Sequence, residues 1–145
     1  MADIEKKKPK RIDDVEKTKL DVVYCIPLEQ RDSQMRENIA RIPARVLPGP
    51  ITQEPIAIVC FGPSLNDTWE EIKKLKYVFS CSGSHKFLVD RGIIPTFHAE
   101  VDPRDHKIGL MGPPQPGTEY LMASACHPKV FDHLEGFDVK LWHIH

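Results

Sequence analysis

Apolar side chains occur along the chain in short runs, and each run is followed by residues typical of turns. The run at Ile56–Phe61 (IAIVCF) has no polar alternation, which predicts a strand buried on both faces of a parallel sheet. A helical pattern follows it, with charged side chains outside and apolar ones at helical spacing: Leu65, Trp69, Ile72 and Leu75. A strand leading through a turn into a helix is the recurring unit of α/β proteins.

The same alternation continues to the end of the chain. Further strands are predicted at Tyr77–Cys81, Thr96–Val101, Tyr120–Ala125 and Val139–Ile144. Helices are predicted at Ser84–Arg91, closed by Gly92, and at Pro128–Leu134, with a proline-glycine loop at Gly109–Thr118. We therefore expect an α/β, three-layer domain with a mainly parallel sheet and an extended N-terminal arm.

The pattern divides the chain into three parts. Residues 1–19 carry charges of both signs and few large apolar side chains, which predicts a flexible arm. Residues 20–49 predict a strand at Leu20–Leu28, a helix from Asp32 or Ser33 to Arg41 and a proline-rich tether. Residues 50–145 form the predicted α/β domain. An arm of this kind could hold a homo-oligomer or a larger assembly together.

Composition narrows the class of protein. The chain has 145 residues and a net charge of −1, so neither nucleic acid nor a membrane surface is an expected partner. No apolar segment approaches the roughly 20 residues that span a bilayer, and the N-terminus lacks the apolar stretch of a secretory signal. The four cysteines show no CxxC spacing, and a cytoplasmic location with reduced thiols fits best.

Three polar segments follow the first three strands of the predicted domain: Gly62–Leu65 (GPSL), Ser82–Ser84 and Asp102–Arg104. In a parallel sheet the carboxyl ends of the strands meet at one edge, and α/β proteins bind their ligands there. The convergence of these segments predicts a binding site for an anionic ligand.

The first two segments are candidates for phosphate binding. Gly62 permits close approach of a ligand, Pro63 stiffens the turn, and Ser64 offers a hydroxyl at a helix N-terminus. The alternative is a tight strand-to-helix turn with Ser64 as its N-cap. Ser82, Gly83 and Ser84 could contact a phosphate or a ribose, or could form a simple turn.

The third segment supplies charge. Asp102 could hold Mg²⁺ or a ribose hydroxyl, and Arg104 could pair with a phosphate oxygen. The alternative is that Asp102 caps the next turn and pairs with Arg104. His98, Glu100 and Asp102 alternate along one strand, and with His106 they could form a metal or acid–base cluster, although a hydrogen-bonded structural pair is more common there.

Residues Ile56–Arg104 resemble the N-terminal core of the 6-hydroxymethylpterin diphosphokinase-like family, which also includes the motility accessory factor proteins. The resemblance lies in three motifs that follow in order: the GPSL turn at Gly62–Leu65, Gly-Ile-Ile-Pro at Gly92–Pro95, and Asp102-Pro103. A similar GPSL turn occurs in a bacterial sialyltransferase family that binds a cytidine nucleotide.

The resemblance implies a Rossmann-like nucleotide-binding domain at residues 50–145. It also implies a transferase that binds a nucleoside triphosphate or a nucleotide sugar and transfers a diphosphate or glycosyl group. By analogy, Gly62 to Leu65, Ser82 to Ser84 and Arg104 would bind the nucleotide, and Asp102 would be the catalytic carboxylate that orients a ribose or Mg²⁺. Family members continue beyond the position of Trp142, so we expect a shortened member or a fragment.

Versions of the family also occur in phage genomes. The alternative hypothesis is therefore a non-catalytic interaction protein on the same scaffold, in a phage-related assembly located in the host cytoplasm or the virion.

Overall fold

The structure, a computed structural model, describes residues 25–49, 51 and 53–143. The predicted arm at residues 1–19, the start of the strand predicted at 20–28 and the last residue of the strand predicted at 139–144 lie outside them. Five helices and five strands are found in the described residues, in the order α1 (Leu28–Arg41), β1 (Ile56–Val59), α2 (Leu65–Ile72), β2 (Tyr77–Cys81), α3 (Ser84–Val89), β3 (Phe97–Glu100), α4 (Lys107–Met111), β4 (Glu119–Ala123), α5 (Pro128–His133) and β5 (Val139–Trp142).

The five strands form one sheet in the spatial order β1-β2-β3-β4-β5. Every neighbouring pair is parallel, so all five strands end at the same edge of the sheet. The spatial order of the strands is the same as their order along the chain. With right-handed crossovers, this order places all the connecting helices on one face of the sheet. The predicted α/β class with a parallel sheet is therefore confirmed.

The helices pack side by side on that face. Helix α3 contacts α4, and both α4 and α1 contact α5. Beneath them lie two apolar clusters, one centred on Val78 and Leu88 and the other on Met122 and Phe131. A helix layer on the opposite face, part of the three-layer prediction, is not found in the part of the chain that the structure describes.

Strand β1 lies at an edge of the sheet, and the prediction that it is buried on both faces is wrong. Val59 points into the core and is 4% exposed, whereas Ile58 on the opposite face is 71% exposed. The reason is the position of β1 in the sheet, because within the described residues it has a strand partner on one side only and helices cover one face. An apolar run cannot by itself distinguish a central strand from an edge strand.

Three further elements differ from prediction. Helix α1 begins at Leu28, four residues before Asp32, because Pro27 precedes its first turn and a proline is well tolerated there. Helix α4, at Lys107–Met111, falls partly within the predicted loop. Helix α3 ends at Val89, two residues before the predicted Arg91, and a turn follows it in which Gly92 has a φ of 73° and donates its N–H to the Val89 carbonyl.

Helix α1 reaches the carboxyl edge of the sheet through two buried amides. The side-chain nitrogen of Asn38 donates to the carbonyls of Ser124 and Cys126, at 2.9 and 2.8 Å. That of Gln34 donates to the Pro103 carbonyl at 3.2 Å. Helix α1 thereby supports the loops that follow β3 and β4. None of the helices in the described residues has the length and apolar character needed to cross a bilayer.

Two fully buried histidines link the apolar clusters. His85 Nδ1 lies 2.8 Å from the Met111 carbonyl, so it carries the proton, and the Tyr120 hydroxyl donates to His85 Nε2 at 3.2 Å. His98 Nδ1 lies 3.0 Å from the Ser80 hydroxyl, while its Nε2 has no partner among the described residues. Burial lowers the pKa of both rings, that of His98 to about 3, so both are neutral.

We predict that acid destabilises the fold through these rings. The unfolded-state pKa of a histidine is near 6.5. At a pH between this value and the lower folded-state pKa, the ring is neutral in the folded protein and takes up a proton when the protein unfolds. The stabilisation is therefore complete above about pH 6.5 and is lost as the pH falls towards about 3. For His98 the loss in the free energy of unfolding is about 2 kcal/mol between about pH 7.5 and pH 5.

Urea denaturation at the two pH values measures this loss. His98→Gln should reduce the difference by about that amount. The control is His106→Gln, since His106 is exposed, and it should leave the difference unchanged. An equal pH dependence in wild type and His98→Gln would contradict the prediction.

Candidate functional site

The three polar segments predicted from the sequence leave the same edge of the sheet. The register pairs Val59 with Ser80 and Cys81 with Ala99, so the turns after β1, β2 and β3 follow side by side. The structure brings Ser82, Asp102 and Arg104 into one hydrogen-bonded cluster. The Gly62–Leu65 turn lies beside them on the β1 side, and the Phe61 ring connects it to Gly83.

The turn after β1 is closed by its own backbone. The N–H of Leu65 donates to the Gly62 carbonyl at 3.1 Å, and the N–H of Asn66 donates to the Pro63 carbonyl at 3.2 Å. The alternative prediction, a tight turn with Ser64 at the N-cap position of α2, describes this segment, although the Ser64 side chain makes no capping hydrogen bond.

Two residues of this turn have distinct surroundings. The side chain of Leu65 is buried in an apolar cluster, so a ligand could be contacted only through its backbone. Beside Gly62 a Cβ would meet no atom within 4 Å, and its φ lies outside the left-handed region. The fold itself thus tolerates a side chain at Gly62, and the space there is open to a ligand.

The turn after β2 contains the one non-glycine residue with a positive φ in the described residues, Ser82 at 51°. Such a conformation is costly for a side chain with a Cβ, and it occurs most often at functional sites. The Ser82 hydroxyl accepts a hydrogen bond from Lys107 Nζ at 3.0 Å. At Gly83 a Cβ would stand 3.2 Å from the Phe61 ring, so glycine allows that ring to approach.

Ser84 is occupied by the backbone. Its hydroxyl accepts from the N–H of Cys81 at 2.9 Å and lies 2.7 Å from the Val59 carbonyl and 2.8 Å from the Cys81 carbonyl. One hydroxyl proton serves both carbonyls, so the side chain ties the ends of β1 and β2 together. The predicted contact of Ser84 with a ligand stays a prediction.

The turn after β3 contains the charges. Arg104 Nε donates to Asp102 Oδ1 at 2.8 Å, and a second guanidinium nitrogen donates to Oδ2. These bonds, together with Lys107, hold the pKa of Asp102 well below its usual range. The alternative prediction, in which Asp102 pairs locally with Arg104, is therefore the arrangement observed.

Lys107 connects the cluster and was not identified from the sequence. Its Nζ lies 3.4 Å from Asp102 Oδ2 and 3.9 Å from Glu100 Oε2, in addition to Ser82, and its side chain is only 13% exposed. Glu100 is buried, and its Oε1 accepts from the N–H groups of Val101 and Asp102. The signal in the sequence that could have indicated Lys107 is its position, about one helical turn after the Asp-Pro-Arg segment.

The predicted metal cluster at β3 is not formed. His98 pairs with Ser80, Glu100 accepts from backbone N–H groups, and His106 is exposed. No group of three histidine, cysteine or acidic side chains is arranged to hold a metal within the described residues. The structural alternative, a hydrogen-bonded role for His98 and Glu100, is the one observed.

An aromatic groove adjoins the first turn. It has a volume of about 380 Å³ and is lined by Phe61, Gly62, Pro63, Asn66 and Phe87. Phe61 is 63% exposed, and the two phenylalanine rings lie edge to face at 6.4 Å. A larger groove of about 730 Å³, near Thr96 and Glu119, lies at the opposite edge of the sheet, away from the charged cluster.

These features define an α/β protein with a charge-paired polar site at the carboxyl edge of a parallel sheet, where such folds bind their ligands. Residues 33–143 match the family described as 6-hydroxymethylpterin diphosphokinase MptE-like. The match spans well over half of the chain, so the chain belongs to this family, and the resemblance found from the sequence is confirmed. No curated protein and no solved structure matches the chain closely enough to add to this assignment.

We predict that the conformation of Ser82 lowers the stability of the fold. Ser82→Val should reduce the free energy of unfolding by about 1–3 kcal/mol, because a β-branched residue is most strained at positive φ. Ser82→Gly should retain or increase it, although it removes the hydroxyl. Ser82→Ala is the matched control for loss of the hydroxyl alone. Denaturant unfolding measures all three, and equal stabilities of the valine and glycine variants would contradict the prediction.

Proposed function

We propose that the chain is a nucleotide-binding domain of transferase type, diphosphokinase-like, that binds its ligand's phosphates at the carboxyl edge of the sheet. The observation that supports this most is the cluster of Lys107, Arg104, Asp102 and the strained Ser82. Family membership favours a diphosphokinase-like activity. A nucleotide sugar, with transfer of a glycosyl group, is the related possibility for the same site.

In this proposal the phosphates bind between the first turn and the charged cluster. The N-terminus of α2 and the free Ser64 hydroxyl offer hydrogen-bond donors to one phosphate. Arg104 lies at the surface with its side chain 48% exposed, so it can turn from Asp102 to a phosphate oxygen. Lys107 remains in place and neutralises charge, as positioned cations do in phosphoryl transfer.

The planar ring of the ligand would enter the aromatic groove. Phe61 offers an exposed ring face for stacking, and Asn66 lies at the groove with an amide that can read the edge of a heteroaromatic ring. The groove adjoins Gly62, so a ring there and phosphates at the turn would belong to one molecule. The size of the groove fits a base or a pterin better than a polymer.

Asp102 would orient groups rather than accept a proton. A general base works best with a pKa near the operating pH, and the pKa of Asp102 is held far below that by Arg104 and Lys107. Once Arg104 turns to the phosphates, the carboxylate is available to a ribose hydroxyl or to the acceptor hydroxyl. The acceptor oxygen would then attack the β-phosphorus of the nucleoside triphosphate in line and lose its proton to water, while the bond from that phosphorus to the α-phosphate oxygen breaks and the nucleoside monophosphate leaves.

Magnesium stays part of the proposal. Both oxygens of Asp102 are engaged by Arg104 and Lys107, and Glu100 is committed to backbone N–H groups. The protein's own donors therefore do not form a metal site in this arrangement. A magnesium ion would have to arrive with the phosphates and use Asp102 as its single carboxylate ligand.

The second candidate function is a non-catalytic interaction protein, in a phage-related assembly, on the same scaffold. Its support is the edge strand β1, where Ile56 and Ile58 are exposed and the backbone has no strand partner on one side among the described residues. Exposed apolar edge strands pair readily with another chain. In this case the charged cluster would have a structural role only. The predicted N-terminal arm would then contribute to a homo-oligomer or a larger assembly.

We predict that a nucleotide raises the melting temperature of the purified chain. The screen uses ATP, GTP, CTP and nucleotide sugars, each with and without Mg²⁺. At a hundredfold excess over Kd the native state gains about 2.7 kcal/mol, which is a clear shift. Gly62→Ala should leave the ligand-free melting temperature unchanged, since a Cβ meets no atom there, and should abolish the shift. Lys107→Ala should also abolish it.

The matched control is Lys129→Ala, because Lys129 is an exposed lysine paired only weakly with Asp105. This variant should keep the full shift. Absence of any shift in the folded wild-type chain would contradict the nucleotide-binding proposal and favour the interaction protein. A shift that survives both Gly62→Ala and Lys107→Ala would place nucleotide binding elsewhere.

A further inference from the structure

Two of the four cysteines stand opposite each other where β1 and β2 end. The parallel register pairs Val59 with Ser80, so the next residues along, Cys60 and Cys81, are directly opposite. Opposite residues on neighbouring strands point to the same face of a sheet. The two thiols are near enough that Cys60, after burial, contributes to raising the pKa of Cys81.

The backbone keeps this pair together. The hydroxyl of Ser84 bonds to the carbonyls of Val59 and Cys81, and the N–H of Gly62 donates to the Cys60 carbonyl at 3.2 Å. Neighbouring strands are separated by about 4.7–4.9 Å, and Cα atoms joined by a disulfide are typically about 4.4–6.8 Å apart. A disulfide between these cysteines would therefore need little movement of the two strands.

The other two cysteines are placed differently. Cys126 is buried, its thiol donates to the Glu100 carbonyl, and burial raises its pKa. Cys25 is exposed and lies before α1, away from the ends of β1 and β2 in the chain. Among the described residues, the only register-matched pair is thus Cys60, which is exposed, with Cys81, which is partly buried.

We propose that Cys60 and Cys81 form a modification site for small-molecule disulfides, which convert the two thiols into an intramolecular disulfide. The thiolate of the exposed Cys60 attacks one sulfur of the reagent, and the other half leaves as a thiolate. Cys81 then loses its proton to water and attacks the Cys60 sulfur, which releases the second half of the reagent. Two protein thiols are oxidised, and one reagent disulfide is reduced to two thiols.

The order of attack follows from the surroundings. Burial and the neighbouring Cys60 raise the pKa of Cys81 to about 11, so it has little thiolate and acts second, on a sulfur already held beside it. The bond would join the strand ends that lead directly into Gly62–Leu65 and Ser82–Ser84. The inference does not depend on nucleotide binding, because it rests on the register and on the thiols alone.

The test treats the whole chain with oxidised glutathione, blocks the remaining thiols after denaturation and measures the intact mass and the peptide map. The expected result is two blocked thiols instead of four, and a mass that is lower by two hydrogens in a sample measured before blocking. Trypsin cleaves at Lys73, Lys74 and Lys76 between the cysteines, so the disulfide would link two separate peptides. A thiol reductant should restore all four thiols.

Variants distinguish the two steps. Cys81→Ser should stop at a Cys60–glutathione mixed disulfide, and Cys60→Ser should leave Cys81 unmodified for the same exposure time. Cys25→Ser is the control and should form the Cys60–Cys81 bond like wild type. Separate glutathione adducts on both cysteines of wild type, a bond from Cys25 to either of them, or no reaction at all would each overturn the proposal. Wild-type peptide mapping alone decides this if a variant fails to fold.

Discussion

The contact on which the carboxyl edge of this protein depends is the one between the Lys107 ammonium and the ends of β2 and β3. One nitrogen lies within 3.0 Å of the Ser82 hydroxyl, 3.4 Å of Asp102 and 3.9 Å of Glu100. A buried carboxylate such as Glu100 is costly unless a countercharge and hydrogen bonds compensate it. Lys107 and two backbone N–H groups supply both, and so helix α4 and the turns after β2 and β3 hold one another in place.

The same arrangement supports the proposed binding of an anion. Two carboxylates and two cations neutralise one another, which keeps the cations assembled at a partly buried position. In the proposed function, a phosphate would replace Asp102 as the partner of Arg104 without the cost of bringing positive charges together. Preorganised charge of this kind is the main means by which proteins stabilise phosphoryl transfer.

Much of the fold follows from local sequence, whereas the site is only partly predictable. The strand Tyr77–Cys81 and the turn at Gly92 after α3 were predictable because apolar runs and a left-handed glycine are local signals. Lys107 was not, because a helix of five residues has no periodicity and its contacts depend on the crossover. The alternation of His98 and Glu100 suggested a metal, but only tertiary packing shows that both face the core.

In the proposed function, a nucleotide's phosphates bind at the turns after β1, β2 and β3. Hydrogen–deuterium exchange of the backbone amides, with and without a saturating nucleotide, tests it most directly, because backbone donors are proposed to contact the ligand. We expect the nucleotide to slow amide exchange in peptides that contain Gly62–Leu65, Ser82–Ser84 and Asp102–Lys107. Exchange around Gly117 and Gly136, at the opposite edge of the sheet, should not change. Protection confined to that opposite edge, or none at the three turns, would contradict it.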